Sequence, residues 1–161
     1  MAKKTLIIVE SPAKSHTISR YLGGDFVISS SMGHVRDLPA AVLGIDLKNR
    51  YRPFYENLPG KAQLIKELRR QARGAERVLL ASDPDREGEA IAFHLQQILQ
   101  EDNPRILRVL FNEITRSSVL EAVQHPQTID GHKVDSQQMR RLLDRLAGYK
   151  ISPVLQRKIG G

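Results

Sequence analysis

The chain has 161 residues, 40% of them hydrophobic and 27% charged, which is enough to bury a core and predicts one α/β domain with a short appendage. Lys and Arg outnumber Asp and Glu by 25 to 18, and the net charge of +7 favours a polyanionic partner. The absence of cysteine excludes disulfides and thiolate metal sites. The apolar run Leu6–Val9 is too short to span a bilayer. We therefore expect a cytoplasmic protein with no signal peptide and no membrane contact.

The first predicted element is a strand over Thr5–Val9, a continuous apolar run typical of a parallel strand that is covered on both faces. Glu10 stands at its carboxyl end. Ser11-Pro12 is typical of an N-cap and a first helical residue, which predicts a helix that ends before Gly23-Gly24. Lys14 then lies in the first turn, where a lysine opposes the helix dipole, so we expect it to face an anion; a solvated lysine is the alternative.

A second strand is predicted over Phe26–Ser31, followed by a turn that carries His34 and Arg36. A lone histidine in such a turn is more often structural than functional. Residues 37–60 contain prolines and aromatic residues without a helical or strand period. We therefore predict an irregular loop that lies over the body and provides functional mobility.

An amphipathic helix over Lys61–Arg73 precedes the apolar strand Val78-Leu79-Leu80 and an acidic turn. Pro84 biases the preceding residue towards extended geometry, so Asp83 is predicted to end the strand. Asp85 and Glu87 are then expected to begin the turn and the following helix.

Three carboxylates, those of Asp83, Asp85 and Glu87, are thus predicted at the carboxyl edge of a strand, where open α/β sheets bind ligands. Two like charges about 4 Å apart repel by roughly 1 to 4 kcal/mol, so the turn should bind a divalent cation or raise a pKa. Hard oxygen ligands favour Mg²⁺ over Zn²⁺. A solvated acidic helix N-terminus is the alternative, but an adjacent parallel strand would bring Glu10 and Lys14 to the same place.

Downstream, a strand is predicted over Ile106–Phe111, and Thr115 is expected to cap a helix with Val119, Leu120 and Val123 inward. Strands and helices alternate throughout the chain. This alternation predicts a mostly parallel sheet flanked by helices on both faces.

A final helix is predicted over His132–Tyr149, bounded by Gly148 and Pro153. Its expected inward stripe is Met139, Leu142, Leu143 and Leu146. On a neighbouring face, the side chains able to hold phosphates and stack a base are Arg141, Arg145 and Tyr149. The alternative is a solvated face on which Arg140 pairs with Asp144.

Four segments resemble, in chain order, the amino-terminal part of bacterial type IA DNA topoisomerases: Leu6–Lys14, Gly33–Pro39, Asp83–Ile91 and Phe111–Thr115. The resemblance covers nearly the whole chain and its motifs are specific. It implies a Rossmann-like toprim domain over residues 1–130, followed by the helical start of a DNA-binding domain over residues 131–161.

The resemblance also implies site residues. The acidic cluster of the family binds Mg²⁺ beside the scissile phosphate, and its counterparts here are Glu10, Asp83, Asp85 and Glu87. The implied catalytic residues are Glu10, Lys14, Asp83 and Arg86. In this set Lys14 would stabilise the transferring phosphoryl group, and Glu10, with a pKa raised by its acidic neighbours, would be a general acid or base.

Single-stranded or negatively supercoiled DNA is the partner that the resemblance implies. His34 would hydrogen-bond near the DNA backbone, and the helix after residue 131 would bind single strands upstream of the cut. The expected DNA-binding residues are His34, Arg36, Arg140, Arg141, Asp144, Arg145, Tyr149, Lys150 and Arg157.

The family relaxes negatively supercoiled DNA without ATP, by transient single-strand cleavage through a phosphotyrosine. Its nucleophilic tyrosine lies far downstream, and none of the tyrosines here occupies a matching motif: Tyr21, Tyr51, Tyr55 and Tyr149. We therefore expect half an active site, inactive without the remaining domains of the parent enzyme. The alternatives are a stand-alone toprim nuclease or primase-like module, and a pure DNA-binding module that would leave the carboxylates unexplained.

Overall fold

The computed structural model describes the backbone of residues 2–159 and the side chains of residues 2–149. Its secondary structure alternates between strands and helices, as the sequence predicts. The elements are β1 (Thr5–Val9), α1 (Pro12–Tyr21), β2 (Phe26–Ser30), β3 (Arg36–Asp37), β4 (Ile45–Asp46), β5 (Arg52–Pro53), β6 (Glu56–Asn57), α2 (Ala62–Gly74), β7 (Arg77–Leu80), α3 (Arg86–Leu99), β8 (Ile106–Arg108), α4 (Arg116–Gln124) and α5 (Gly131–Ile159).

The central sheet has four parallel strands in the order β2-β1-β7-β8. Side chains alternate between its two faces: Leu6 and Ile8 pack with α2 and α3, whereas Ile7 and Val9 pack with α1 and α4. Burying one such aliphatic side chain stabilises the fold by about 1.5–3 kcal/mol. The predicted α/β fold, a parallel sheet covered by helices on both faces, is confirmed.

Two strands end earlier than predicted. β7 ends at Leu80 rather than Asp83, because the last hydrogen bond of its ladder with β1 runs from the Ala81 N–H to the Ile8 carbonyl. β8 in turn ends at Arg108, since the Val109 N–H bonds to the Leu80 carbonyl, beyond which β7 offers no partner. The acidic turn therefore begins at Ala81, two residues before Asp83.

Most of residues 37–60 have no regular secondary structure, but the segment also contains short strands that the sequence did not predict. The segment forms two short antiparallel ladders, β3 with β6 and β4 with β5. Its buried side chains Leu38 and Ile45 pack against Leu142 of α5. Two-residue strands are too short to show a period in sequence, and only their packing against α5 organises them.

Helix α5 is one continuous helix from Gly131 to Ile159, so the predicted boundaries at Gly148 and Pro153 are wrong. The predicted inward stripe is also wrong in part, because Met139 and Leu143 are 59% and 58% exposed. The buried side chains are Val134, Gln137 and Leu142. The inward face is thus displaced by about one residue, because α5 packs on both α3 and the 37–60 segment.

One smaller correction concerns α4. Leu120 is 38% exposed, while Val119 and Val123, one turn apart, are buried against the sheet. In the described part of the chain, no helix combines the length and the apolar character that a membrane span requires.

Candidate active site

Glu10, Lys14 and Asp83 meet at the carboxyl edge of the sheet. β1 and β7 are adjacent and parallel, so the residues that follow them lie side by side, as predicted. The Lys14 Nζ is 2.6 Å from Glu10 Oε1 and also forms an ion pair with Asp83 Oδ1. The Asp83 N–H donates to Glu10 Oε1 at 3.2 Å. Lys14 therefore faces an anionic pair, as its unfavourable place in the first turn of α1 predicts.

The pKa values of these three groups are shifted in different directions. Burial and the hydrogen bonding with Asp83 raise the pKa of Glu10, against the opposing effect of Lys14. Asp83 has a lowered pKa, because its hydrogen bonding with Glu10 and with Lys14 outweighs burial. Burial opposes the charge of Lys14, but its two carboxylate partners raise its pKa. Glu10 is thus the carboxyl group of the pair that holds a proton more readily.

The remaining two carboxylates point to other partners. Asp85 is the N-cap of α3, and its Oδ1 accepts from the Gly88 N–H at 2.7 Å. Glu87 Oε2 lies 3.3 Å from His34 Nε2. Arg86, the first residue of α3, is exposed and reaches Ser136 Oγ at 3.4 Å.

The predicted ligands Glu10, Asp83, Asp85 and Glu87 are therefore not assembled into one metal cage. In the part of the chain that the structure describes, no group of three or more His, Asp or Glu side chains is arranged to hold a metal ion. The carboxylate oxygens of the four predicted residues are nevertheless the kind of ligand that Mg²⁺ prefers. Glu10 and Asp83 come nearest to a ligand pair, because they already share one cation, the ammonium group of Lys14.

Gly88 allows the acidic turn to pack against α3. A Cβ atom at this position would lie 1.8 Å from the Asp83 carbonyl oxygen and 2.7 Å from its carbon. The Ser82 hydroxyl donates to the Gly88 carbonyl at 2.5 Å and closes the same contact. The role of Gly88 was not predicted, although a glycine in the first turn of a helix was the available signal.

A buried ion pair supports the turn from the sheet side. Arg108 and Glu89 are 0% and 1% exposed, and Arg108 Nε donates to Glu89 Oε1 at 2.6 Å. The guanidinium group also donates to the carbonyls of Ser82 and Asp83, each at 2.6 Å. Glu89 Oε2 accepts from the Asp130 N–H at 2.9 Å, just before α5 begins. Sequence reasoning missed this pair; an arginine within an apolar strand was the signal.

The turn after β2 places His34 beside Glu87. Met32 and Gly33 both adopt a left-handed conformation, with φ of 51° and 82°. The Gly33 N–H donates to the Glu10 carbonyl at 2.8 Å, which attaches this turn to the end of β1. Arg36 lies further along, with its guanidinium carbon 5.6 Å from the centre of the Tyr55 ring.

Two of the predicted DNA-binding arginines of α5, Arg141 and Arg145, bind within the chain. Arg141 donates to both carboxylate oxygens of Asp37, each at 3.0 Å, and Arg145 donates to the carbonyls of Pro39 and Val42 at 2.6 and 2.9 Å. Both guanidinium groups thus attach the 37–60 segment to α5, which the sequence did not reveal.

The other predicted DNA contacts have mixed positions. Arg140, Asp144 and Tyr149 are exposed, and the Tyr149 ring lies 5.9 Å from the guanidinium carbon of Arg145. The side chains of Lys150 and Arg157 lie outside the described residues. Contact of this helix with DNA stays a prediction.

Lys14 and Asp83 also line a cavity of about 250 Å³. Three residues that follow β8 contribute to the same lining: Phe111, Asn112 and Ile114. The Lys14 ammonium group, the Glu10 carboxyl group with its raised pKa and the cavity beside them can together bind a phosphate, neutralise its charge and transfer a proton.

Comparison with known proteins gives two findings. A family model described as "Toprim domain" matches residues 5–114. The solved structure of full-length topoisomerase I from Thermotoga maritima, in a monoclinic crystal form, is similar with a TM-score of 0.88 and 43% sequence identity, over 94% of this chain and 26% of that chain. The chain thus spans about a quarter of the length of this relative.

Proposed function

The chain belongs to the Toprim domain family, and from that premise we propose that it is the toprim part of a type IA DNA topoisomerase. Such an isomerase would relax negatively supercoiled DNA in the cytoplasm, without ATP, by transient single-strand cleavage and religation. The observation that carries the proposal is the contact of Lys14 with both Glu10 and Asp83 at the carboxyl edge of the sheet. Similarity to the Thermotoga maritima topoisomerase I over 94% of the chain supports it.

The residues of this chain would act on the phosphate and on the 3′-oxygen of the DNA. Lys14 would pair with a phosphate oxygen and stabilise charge that develops in the transition state. Glu10, whose pKa is raised mainly by burial, would give a proton to the departing 3′-oxygen and take it back on religation. Arg86, exposed at the start of α3, would contact a neighbouring phosphate.

Magnesium would be held chiefly by Asp83, with Asp85 and Glu87 nearby in the same turn. Glu10 would join them as a ligand only after it has given up its proton, because a metal ligand must be deprotonated. When bound, the ion would neutralise phosphate charge. The chain's own contribution would be the oxygen donors and the backbone support of Asp83 by Arg108.

The nucleophile would come from elsewhere. A tyrosine of another domain would lose its phenolic proton to solvent, attack phosphorus and form a phosphotyrosine. The bond to the 3′-oxygen breaks as the new bond forms, and religation reverses these changes. The chain by itself would therefore cleave nothing, and its proposed partners are single-stranded DNA and the remaining domains of the parent enzyme.

A chimera tests the proposal. We would replace the matching quarter of the Thermotoga maritima topoisomerase I with this chain and measure relaxation of negatively supercoiled plasmid with Mg²⁺. We expect relaxation by the chimera, and a loss of at least about 100-fold on Lys14→Ala, in the range seen when one transition-state donor is removed. Lys66→Ala, on the exposed side of α2, is the matched control and should keep the activity.

An assay of the chain alone distinguishes the proposed topoisomerase part from a stand-alone nuclease. Incubated with plasmid and Mg²⁺, it should neither relax nor nick the DNA. Nicking that disappears in Lys14→Ala would favour the stand-alone nuclease. A chimera that folds and binds DNA but relaxes plasmid equally well with and without Lys14 would contradict the proposed site.

A further inference from the structure

A second polar cavity, of about 150 Å³, lies between the turn at residues 34–37, helix α3 and helix α5. It shares Glu87 with the acidic turn but contains neither Lys14 nor Asp83. Its volume corresponds to about five water molecules at roughly 30 Å³ each, and it is below the roughly 300–1,000 Å³ of sites for drug-sized ligands. A small polar ligand therefore fits, whereas a whole nucleotide does not.

The walls of this cavity contain buried polar atoms that the fold leaves without partners. In the described part of the chain, the buried side-chain atoms without a hydrogen bond are Arg36 Nε, Tyr55 OH, His94 Nδ1 and Gln137 Oε1. All four residues line this one cavity. An unsatisfied buried polar group costs about 1–3 kcal/mol, so four around one space indicate a site built for a polar ligand.

These side chains are held in place by packing rather than by hydrogen bonds. His94 and Gln137 are only 3% and 8% exposed. The Tyr55 and His94 rings meet edge to face, with centroids 4.6 Å apart. The guanidinium carbon of Arg36 lies over the Tyr55 ring, 5.6 Å from its centroid. These contacts hold the two rings and the guanidinium group in place around the cavity.

The two arginines that line the cavity differ in their carboxylate partners. Asp37 is neutralised by Arg141 through two hydrogen bonds of 3.0 Å, and Glu87 is within 3.3 Å of His34. Arg36 has no carboxylate within ion-pair distance among the described side chains. A guanidinium group carries five N–H donors, which suit two oxygen atoms of an oxyanion.

One pKa shift agrees with a positive field at the cavity, and another reflects burial. Burial lowers the pKa of Arg36 and outweighs the opposing effect of Tyr55. Burial, together with the charges of Arg36 and His34, lowers the pKa of His94 to about 4 and outweighs the opposing effect of Asp37. His94 is thus a neutral donor or acceptor near pH 7.

We propose that this cavity binds a phosphate group, with Arg36 as the principal ligand and the Tyr55 hydroxyl and the Gln137 amide as further hydrogen-bonding groups. The Gln137 Oε1 can accept from a protonated phosphate oxygen, and rotation of the amide would offer its NH₂ group instead. The phosphate is either free or part of a DNA backbone. The site shares Glu87 with the acidic turn but differs from the one under the proposed function, because it uses none of Glu10, Lys14 and Asp83.

Inorganic phosphate and the whole 161-residue chain provide the test. Phosphate is titrated at constant ionic strength, with chloride as the reference anion, while calorimetry records affinity and NMR follows the His94 imidazole. We expect saturable binding and a rise in the pKa of His94, because an anion beside Arg36 favours the imidazolium. Arg36→Met should weaken binding by at least about tenfold, as expected for loss of charge-assisted hydrogen bonds. Arg20→Met, an exposed arginine of α1, is the matched control.

Tyr55→Phe gives a second, gentler variant. Because the hydroxyl has no partner within the fold, this change should leave the thermal midpoint without phosphate unchanged or slightly higher, while phosphate affinity falls several-fold. If Arg36→Met does not fold, Arg36→Lys, which keeps the charge and loses the fork of donors, replaces it and should bind with intermediate affinity.

The source of the phosphate follows from a parallel titration with a short single-stranded oligonucleotide. If Arg36→Met weakens binding of the oligonucleotide as well, and inorganic phosphate competes with the oligonucleotide, the site binds a phosphate of the DNA backbone. If Arg36→Met loses only the binding of inorganic phosphate, the site binds the free ion. The proposal is overturned if phosphate affects His94 no differently from chloride, or if Arg36→Met and Tyr55→Phe both bind phosphate as the parent chain does.

Discussion

Removal of the Arg108 guanidinium group should strongly destabilise the domain. Arg108→Met keeps the apolar stem of the side chain but leaves Glu89, which is 1% exposed, as a buried carboxylate without a cation. The carbonyls of Ser82 and Asp83 lose their donors at the same time. The change therefore affects the support beneath the acidic turn.

Its magnitude follows from the burial of the pair. Loss of one partner of a buried ion pair costs about 3–5 kcal/mol, because the other charge stays desolvated. A domain is stable by only about 5–15 kcal/mol, so this single change should remove a large share of the total. Arg108→Met with Glu89→Gln removes both charges and keeps an acceptor for the Asp130 N–H, so the double variant should be more stable than Arg108→Met alone.

Urea unfolding followed by circular dichroism measures both effects. The midpoint should fall in Arg108→Met with little change in the slope m, and recover in part in the double variant. Arg105→Met, an exposed arginine beside the same strand, is the control and should stay within about 0.5 kcal/mol of the parent chain. An Arg108→Met variant within about 1 kcal/mol of the parent, or a double variant no more stable than Arg108→Met, would refute the reasoning.

Two further predictions concern Gly88 and His94. Gly88→Ala places a Cβ atom 1.8 Å from the Asp83 carbonyl oxygen, so overpacking should cost about 1–3 kcal/mol and lower the thermal midpoint, whereas Gly74→Ala, with nothing within 4 Å of its Cβ, should not lower it. An unshifted midpoint in Gly88→Ala would contradict the close approach. For His94, whose pKa is lowered to about 4 by burial, the unfolded chain binds the proton near pH 6.5 and the folded chain does not. The free energy of unfolding should therefore fall by up to about 3 kcal/mol as the pH decreases from about 6.5 to 4. The part of this loss that occurs above pH 5 should disappear in His94→Phe. In the control His125→Gln it should persist.

Local sequence was sufficient for most of the core. The apolar runs of β1 and β7 predict buried strands, and the capping residues Ser11, Asp85 and Thr115 each accept a backbone N–H at the start of a helix, as their residue types predict. These features depend on neighbours within a few positions. Parallel strands end at a common edge, so the meeting of Glu10 with Asp83 also followed from the order of the elements.

The local sequence was less informative where a side chain's partner lies far along the chain. Arg141 and Arg145 have the spacing of an open phosphate-binding face, yet their donors are taken by Asp37 and by carbonyls about 100 residues earlier. The two-residue ladders of the 37–60 segment likewise exist because they pack against α5. Their length leaves no period for sequence analysis to detect.

The acidic turn shows both kinds of information. Its charge and its place after a buried strand were readable from adjacent residues, and so was the start of α3 at Asp85. The partner of each carboxylate was not, because Lys14, His34 and Arg108 come from three different segments. Nearby residues decide which backbone conformation is favoured. The partner of a charged side chain depends instead on which distant groups the fold brings within about 4 Å of it. At that distance Coulomb attraction is strong enough to select one partner over water.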